Sequence, residues 1–108
     1  MIEQPVLSAQ AFHILVALAG GDLHGYGIMQ DVAARTGGKI QLSAGTLYGA
    51  IQRLLEQGFL VEVRGAGDDR RRVYRLTAAG RKAARAEAAR LEELLEQARQ
   101  YGLAPQRG

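Results

Sequence analysis

Three consecutive arginines, Arg70, Arg71 and Arg72, are the residues with the most distinctive chemistry in this chain. A guanidinium group binds phosphate through two parallel N–H donors and can enter a narrow minor groove of DNA. Alternate residues of a strand point to opposite faces, so three neighbouring arginines cannot all point inward. The run favours contact with a polyanion. The alternative is surface ion pairing with the preceding Asp68 and Asp69 at a hairpin tip.

Charge is concentrated around this run. Between Arg64 and Arg90 there are nine basic and three acidic residues, a net charge of +6. The remaining chain has five basic and eight acidic residues, which brings the net charge of all 108 residues to +3. Such asymmetry indicates a polyanionic partner and favours nucleic acid. A solvated face rich in arginine is the simpler alternative.

A second candidate surface lies in the stretch LSAGTLYGAIQRLLEQGFL, residues 42–60. At 100° per residue, one face of the helix is apolar and forms core, namely Leu47, Ala50, Ile51, Leu54 and Leu55. The opposite face carries small and polar residues: Gly45, Gly49, Gln52, Arg53 and Glu56, flanked by Thr46 and Tyr48. The stretch is therefore an amphipathic helix with a candidate contact surface on its outer side.

Gly49 is the unexpected residue of that outer face. Glycine inside a helix costs roughly 0.8–1 kcal/mol relative to alanine. A glycine face lets a bulky partner reach the helix backbone, and Gln52 and Thr46 can contact adenine and the thymine methyl group. We expect Ser43, the predicted helix cap, to lie beside this surface. The alternatives are an ordinary solvated surface and a glycine that avoids a clash with a neighbouring helix.

The helices and strands that position these residues are predicted from the periodicity of the apolar residues and from the glycines that end the helices. Ser8 begins a first helix that ends before Gly20, and a second helix in HGYGIMQDVAARTGG has Tyr26, Met29 and Val32 at helical spacing. KIQL, residues 39–42, is a candidate short strand. The remaining elements are a third helix at 43–57, two strands joined by the basic loop, and a long helix capped by Thr77. The chain is predicted to be mainly α with a small β-hairpin wing, the winged helix-turn-helix fold.

The first and last helices are the candidates for a dimer interface. The first helix is apolar nearly all round, which requires burial on more than one side. The last helix has apolar residues at spacings of four, three, four and three, which is a short coiled-coil seam. The predicted interface comprises Phe12, Leu15, Ala84, Ala88, Leu91, Leu95 and Ala98. Packing of the seam within one chain is the alternative.

The composition argues against several other classes of protein. There is no cysteine, and the two histidines, His13 and His24, have no nucleophile or metal-ligand partner at a suggestive spacing. We expect no enzyme activity, metal site or cofactor, and we expect His24 to cap a helix or bind backbone. No apolar run is long enough to span a membrane, and no signal peptide is evident. A cytoplasmic protein without membrane contact is expected.

Taken together, HGYGI (24–28), LSAGTLYGAIQRLLEQGFL (42–60) and RRVYRLTAAGR (71–81) resemble the PadR family of bacterial transcriptional regulators. Its short-tailed members are similar, with one C-terminal helix for dimerisation. The resemblance implies that Ser43, Thr46 and Tyr48 lie at the DNA surface, and that Arg70 to Arg72 lie on the wing. It places Tyr74 on the strand after the wing, and we include Tyr74 among the predicted DNA contacts. Gly49 and Ala44 stand where the family commonly has proline.

The resemblance implies a homodimeric repressor of a palindromic operator, with helix 43–57 in the major groove and the wing, 65–72, beside it. Residues 1–76 would form the DNA-binding part and residues 77–108 the dimerisation helix and tail, as one cooperative unit. Some relatives bind a small apolar or aromatic effector between the subunits, and such a site would lie here near Leu15, Leu91 and Leu95. The alternative, which we favour, is that these three residues are only part of the dimer core. The alternative to DNA binding is a winged-helix module that binds only protein.

Overall fold

A computed structural model describes residues 7–64 and 71–106 of the chain. It contains four helices and three short strands. In chain order these are α1 (Ala9–Ala19), β1 (Leu23–His24), α2 (Gly25–Arg35), α3 (Ala44–Glu56), β2 (Leu60–Arg64), β3 (Arg72–Leu76) and α4 (Ala78–Gln100). The four helices with a small antiparallel sheet confirm the predicted winged helix-turn-helix fold.

Polar side chains begin all four helices. Ser8, Ser43 and Thr77 each accept the backbone N–H of the residue three positions on, at 2.9–3.2 Å. A cap of this kind typically stabilises a helix by about 1 kcal/mol. His24 caps α2 through its ring, with Nδ1 accepting the Gly27 N–H at 2.9 Å. The predicted caps and the backbone-bonded role of His24 are therefore confirmed.

The three strands form one antiparallel sheet in the order β1-β3-β2. Val63 of β2 pairs with Val73 of β3, and Leu23 of β1 pairs with Tyr74. The strand predicted in KIQL is wrong, because residues 39–42 form a loop. Their apolar side chains pack against the core from that loop, which produces alternation without sheet pairing.

The core is formed where α1, α2 and α3 meet. Its most completely buried side chains are Ile14, Leu15, Ile28, Val32, Leu47, Ile51 and Leu54. The α3 residues among them confirm the predicted inner face of the third helix. The stripe predicted for α2 is wrong at Tyr26, which is 61% exposed, because Ile28 and Val32 make the buried pair.

The start of α4 is joined tightly to the end of α3. Thr77 donates its hydroxyl proton to the Gly58 carbonyl at 2.7 Å and its N–H to the Phe59 carbonyl at 3.1 Å. A Cβ at Gly80 would overlap the Phe59 carbonyl oxygen, so only glycine allows this approach. Within the described ranges, no helix combines the length and apolar character needed to cross a membrane.

Candidate nucleic-acid interface

Helix α3 presents a polar outer face because its inner face is fully occupied by core contacts. Leu47, Ile51 and Leu54 are buried beneath it. Thr46, Tyr48, Gln52, Arg53 and Glu56 are exposed on the other side. Burial of the apolar stripe therefore determines which side chains point outward.

The two glycines of α3 face space that no other group of the described chain fills. A Cβ at Gly45 would meet no atom within 4 Å, and one at Gly49 would meet only Nη1 of Arg53, at 3.8 Å. The clash with a neighbouring helix offered as one explanation of Gly49 is therefore wrong. The folded chain would accept alanine at either site, so the cost of glycine in the helix is not offset by packing within the chain.

Polar groups on the outer face already bond to one another. Ser43 donates its hydroxyl to Oγ1 of Thr46 at 3.0 Å, while its own Oγ caps the helix. Gln52 donates from its amide to Glu56 at 3.3 Å. Contact with a base edge would require Gln52 to exchange this intrahelical bond for a new one, an exchange with little net cost at an exposed site.

Tyr48 joins α3 to α2 as well as facing solvent. Its side chain is 49% exposed, and its hydroxyl lies where a Cβ of Gly25 would be. Gly25 was missed by sequence reasoning, although it directly follows the helix-capping His24. A glycine at a helix start beside a capping residue was the available signal, but nothing in the local sequence identified Tyr48 as its neighbour.

The described part of the wing brings two arginines to the surface. Arg71 is exposed, and its Nη1 lies 2.8 Å from Nε2 of His24. Arg72 is exposed, with Nε 3.6 Å from a carboxylate oxygen of Glu62 on β2. Arg70 and the rest of the loop at 65–69 lie outside the described residues. Part of the arginine run is thus exposed, as strand geometry required.

Tyr74 does not belong to this surface, and its prediction as a DNA contact is corrected. Its side chain is 2% exposed and packs in the core. Burial, followed by the negative charge of Glu62, raises the pKa of the Tyr74 phenol. The central strand β3 has helices against one face of the sheet, and Tyr74 points toward them.

Two arginines of the basic stretch are held in ion pairs. Arg75 binds both carboxylate oxygens of Asp22, which joins β3 to the turn before β1, and this hydrogen bonding holds the pKa of Asp22 below its usual value. Arg90 pairs with the largely buried Glu87 and lowers the pKa of that carboxyl. Glu87 is already counted in the net charge of +6, but Asp22 lies outside the stretch, so its pairing with Arg75 lowers the positive charge available to a partner.

The residues predicted for a dimer interface divide into two groups. Leu91 and Leu95 are each 40% exposed and Ala88 is exposed, whereas Phe12, Ala84 and Ala98 are partly buried. Leu15 is fully buried in the core of its own chain. Its prediction as an interface residue is therefore corrected, because a side chain without exposed surface cannot meet a second subunit directly. Its prediction as an effector contact stays a prediction.

A small apolar cavity of about 220 Å³ separates α1 from α4. Its lining residues include Phe12, Leu15, Val16, Ala84 and Ala88, together with Arg81 and Arg85. Leu91 and Leu95 are not part of its lining. The three residues predicted for an effector are thus not brought together around this cavity. Over residues 7–64 and 71–106, no group of three metal-ligating side chains is found.

A capped helix with an outward polar face, followed by a hairpin whose base carries exposed arginines, defines a winged helix-turn-helix protein. The model of the PadR-like family of transcriptional regulators matches residues 14–86, and the chain belongs to this family. It is 41% identical over 88 residues to the transcriptional regulator Rv3488 of Mycobacterium tuberculosis. That match covers 81% of this chain and 79% of the relative.

Solved structures agree with this assignment. A transcriptional regulator from Clostridium thermocellum superposes with a TM-score of 0.76 at 27% identity, covering 84% of this chain and 90% of that chain. Bacillus subtilis PadR, solved in complex with operator DNA, superposes with a TM-score of 0.62 at 21% identity. The match covers 73% of this chain and 46% of that chain, and the likeness is one of fold. The protein is a transcriptional regulator of the PadR family.

Proposed function

We propose that the chain acts as a homodimeric repressor that binds a palindromic operator. Helix α3 enters the major groove, with Ser43, Gly45, Thr46, Tyr48, Gly49, Gln52 and Arg53 at or near the DNA. Arg70, Arg71 and Arg72 of the wing contact the flanking backbone or minor groove. The observation that carries this proposal is the open space over Gly45 and Gly49, which leaves the α3 backbone accessible to a large partner.

The proposed groove contact is consistent with the shape and charge of the surface. Large apolar side chains, which a protein partner of α3 would need, are absent from its outer face apart from the half-exposed ring of Tyr48. Arg53, Arg71 and Arg72 are exposed near that face or at the base of the wing. The fold also matches a PadR protein solved with operator DNA, which supports the same mode of binding here.

The dimer is proposed to form through the exposed leucines of α4, together with Phe12, Ala84, Ala88 and Ala98. Two copies of α3 would then reach successive major-groove turns, about 34 Å apart. In this arrangement residues 1–76 form the DNA-binding part and residues 77–108 the dimerisation part. Because Gly80 and Thr77 fasten α4 to the end of α3, both parts behave as one cooperative unit.

We also propose that a small apolar or aromatic effector releases the repressor from DNA. The cavity between α1 and α4 is apolar and adjoins the seam, which supports an effector held where the subunits meet. Thermal-shift measurements with planar aromatic compounds, read together with DNA release, test it. A compound that raises the Tm and displaces DNA supports an effector. If no compound in the panel does either, the repressor operates without one.

Fluorescence anisotropy tests the DNA-binding proposal directly. The labelled duplex is the DNA upstream of the chain's own coding region, and the control is a duplex of the same composition in scrambled order. We expect tighter binding to the natural duplex and a steep loss of affinity with salt, because phosphate contacts release counterions. Affinity that is equal for both duplexes, or unchanged between low and high salt, contradicts the proposal.

A further inference from the structure

A polar cavity of about 340 Å³ lies between the start of α1, the loop after α2 and the start of α3. Its polar lining residues are Gln10, His13, Lys39, Gln41, Ser43 and Thr46. Because Ser43 and Thr46 also belong to the proposed DNA-binding face, the cavity adjoins that face. At about 30 Å³ for each water molecule, it has room for a hydrated ionic group.

The chemistry of this cavity favours an anion. Lys39 contributes an exposed ammonium group, Gln10 contributes amide donors, and no acidic residue is among those that line the cavity. Within the described ranges of the chain, Lys39 forms no ion pair. Asp31, the closest acidic residue to Lys39 in sequence, is already paired with Arg35 at 2.6 Å. The ammonium group is therefore available to a partner outside the chain.

Thr36 fixes the loop that carries Lys39. Its hydroxyl donates to the Val32 carbonyl at 2.8 Å and accepts the Ile40 N–H at 3.0 Å. Its carbonyl accepts the N–H of Lys39 itself at 3.2 Å. The backbone of Lys39 is thus held against the end of α2, while its side chain reaches solvent.

Lys39 and the wing lie at opposite ends of α2. Nη1 of Arg71 is 2.8 Å from the ring of His24 at the start of the helix, whereas Lys39 follows its last residue, Arg35. The 11 residues of α2 span about 16 Å, slightly more than the roughly 12 Å width of the major groove. A major groove has a phosphate strand on each side, and the helix before the recognition helix crosses the backbone. With the wing at one strand, Lys39 is placed near the other.

We propose that Lys39 and Gln10 bind a phosphate of the DNA strand that lies across the major groove from the wing. The ammonium group supplies a positive charge and the amide a neutral donor, and bonds to an anionic oxygen are stronger than neutral ones. Helix α3 is then held between two backbone contacts, one on each side of the groove. The proposal rests on the DNA-binding function proposed above and adds a contact outside α3 and the arginine run.

The first test compares Lys39→Gln and Lys39→Arg with wild type by anisotropy across a salt series. Lys39→Gln is expected to weaken binding roughly tenfold, the size of one bond to a charged group. The loss is expected to be equal on the upstream and the scrambled duplex, because a phosphate contact carries no base preference. The slope of log affinity against log salt is expected to fall by about 0.9 for each half-site. Lys39→Arg keeps the charge and is expected to retain the slope.

Lys82, the only other lysine of the chain, supplies the matched control. It is exposed near the start of α4, so Lys82→Gln removes the same charge and is expected to bind DNA as wild type does. A Lys39→Gln variant with the wild-type slope overturns the proposal, and so does an equal fall in slope for Lys82→Gln. Wild-type protein that binds neither duplex overturns the DNA-binding function itself. The two failures are therefore distinguishable.

Substitution of Gln10 separates DNA binding from fold stability. Gln10→Glu places a carboxylate at the cavity and in the first turn of α1, where negative charge stabilises a helix. The Tm is expected to stay the same or to rise. DNA affinity is expected to fall, most strongly at low salt, because the carboxylate repels the phosphate. Gln97→Glu adds the same charge at an exposed position of α4 and is expected to bind as wild type does. A Gln10→Glu variant with wild-type affinity contradicts the site.

NMR of lysines methylated with carbon-13 supplies an independent readout, because methylation retains the charge of the ammonium group. The chain has only two lysines, so Lys39→Arg assigns both signals. We expect the Lys39 signal to move when the duplex is added and the Lys82 signal to stay unchanged. A Lys39 signal that moves with inorganic phosphate at equal ionic strength, but not with the duplex, identifies a site for free anions and overturns the DNA contact.

Discussion

The two ends of the molecule expose opposite kinds of surface. The outer face of α3 is polar, with side chains that bond to each other and glycines that meet no other group. The outer half of α4 exposes Leu91, Leu94 and Leu95, each at least 40% accessible. The α3 face is stable in water as it stands, whereas the α4 face leaves apolar area unburied. The α3 face is therefore suited to a hydrated polyanion, and the α4 face to another apolar helix.

The largest expected effect comes from introducing charge on the α4 face. Leu91→Asp combined with Leu95→Asp is expected to leave a folded monomer and to abolish DNA binding at concentrations where wild type saturates. Burial of each leucine contributes roughly 1.5–3 kcal/mol, so the dimer dissociation constant is expected to rise by more than about a thousandfold. Light scattering after gel filtration measures the mass. Ala89→Asp, on the opposite side of α4, is the control and is expected to stay dimeric. A dimeric double variant contradicts the role assigned to this face.

A smaller effect is expected where α3 meets α2. Gly25→Ala places a methyl group where the Tyr48 hydroxyl lies, and we expect a loss of about 1–3 kcal/mol in the free energy of unfolding. DNA affinity is expected to fall as well, because Tyr48 must move. Urea unfolding measures the first quantity and anisotropy the second. Gly25→Ala with Tyr48→Ala is expected to recover part of the lost stability, and equal losses with and without the tyrosine ring would disprove the contact.

Substitution of Gly49 tests whether the α3 face is shaped for DNA, because fold stability and DNA affinity are expected to change in opposite directions. Gly49→Ala is expected to raise the free energy of unfolding by roughly 0.5–1 kcal/mol, since the site has room and helix propensity improves. It is expected to weaken DNA binding by about 1 kcal/mol, because the added methyl group meets the DNA. Gly45→Ala, in the first turn of α3, is measured in the same way for its free energy of unfolding and its DNA affinity. A more stable Gly49→Ala that binds as tightly as wild type would show that close approach is not required.

The smallest effect concerns the ion pair between Asp22 and Arg75, which lies apart from both surfaces. Arg75 lowers the pKa of Asp22 in the folded chain. The pair therefore contributes its stability above the ordinary aspartate pKa, and this contribution is lost as the pH falls through the lowered folded value. Thermal unfolding at pH 6 and pH 3 measures it. Asp22→Asn is expected to reduce the difference in Tm between the two pH values slightly, and an unchanged difference contradicts the linkage.

Local rules were sufficient for the caps of the helices and for the buried face of α3, although they placed Tyr26 of α2 on the wrong side. Ser8, Ser43 and Thr77 cap helices because short polar side chains satisfy the free N–H groups of a first turn wherever they occur. Helical periodicity likewise identified the buried face of α3, whose inner residues lie at regular spacing. Such features depend on neighbours within four residues, which the sequence displays directly.

Features that depend on distant neighbours could not be predicted in the same way. Leu23 and His24 are too few to show strand alternation, and β3, about 50 residues away, makes them a strand. Gly25 leaves room for the ring of Tyr48, and Gly80 is required by the Phe59 carbonyl; neither of these neighbours is near in sequence. Tyr74 and Leu15 were placed on surfaces because their residue types suit an interface, but packing against other elements buries both.

The close approach of Gly80 to the backbone of Phe59 leaves no room for independent movement between α4, which carries the proposed dimer seam, and α3, the proposed DNA-binding helix. A flexible linker would absorb a shift of α4, whereas a helix packed directly against Phe59, between α3 and β2, transmits such a shift to α3. A rotation of a few degrees at the far end of this 23-residue helix would displace α3 relative to its copy in a dimer. Within the proposed dimer, the orientation of α4 consequently sets the distance between the two α3 helices, and hence the spacing of the operator half-sites. A small change in packing at the seam is enough to change that distance.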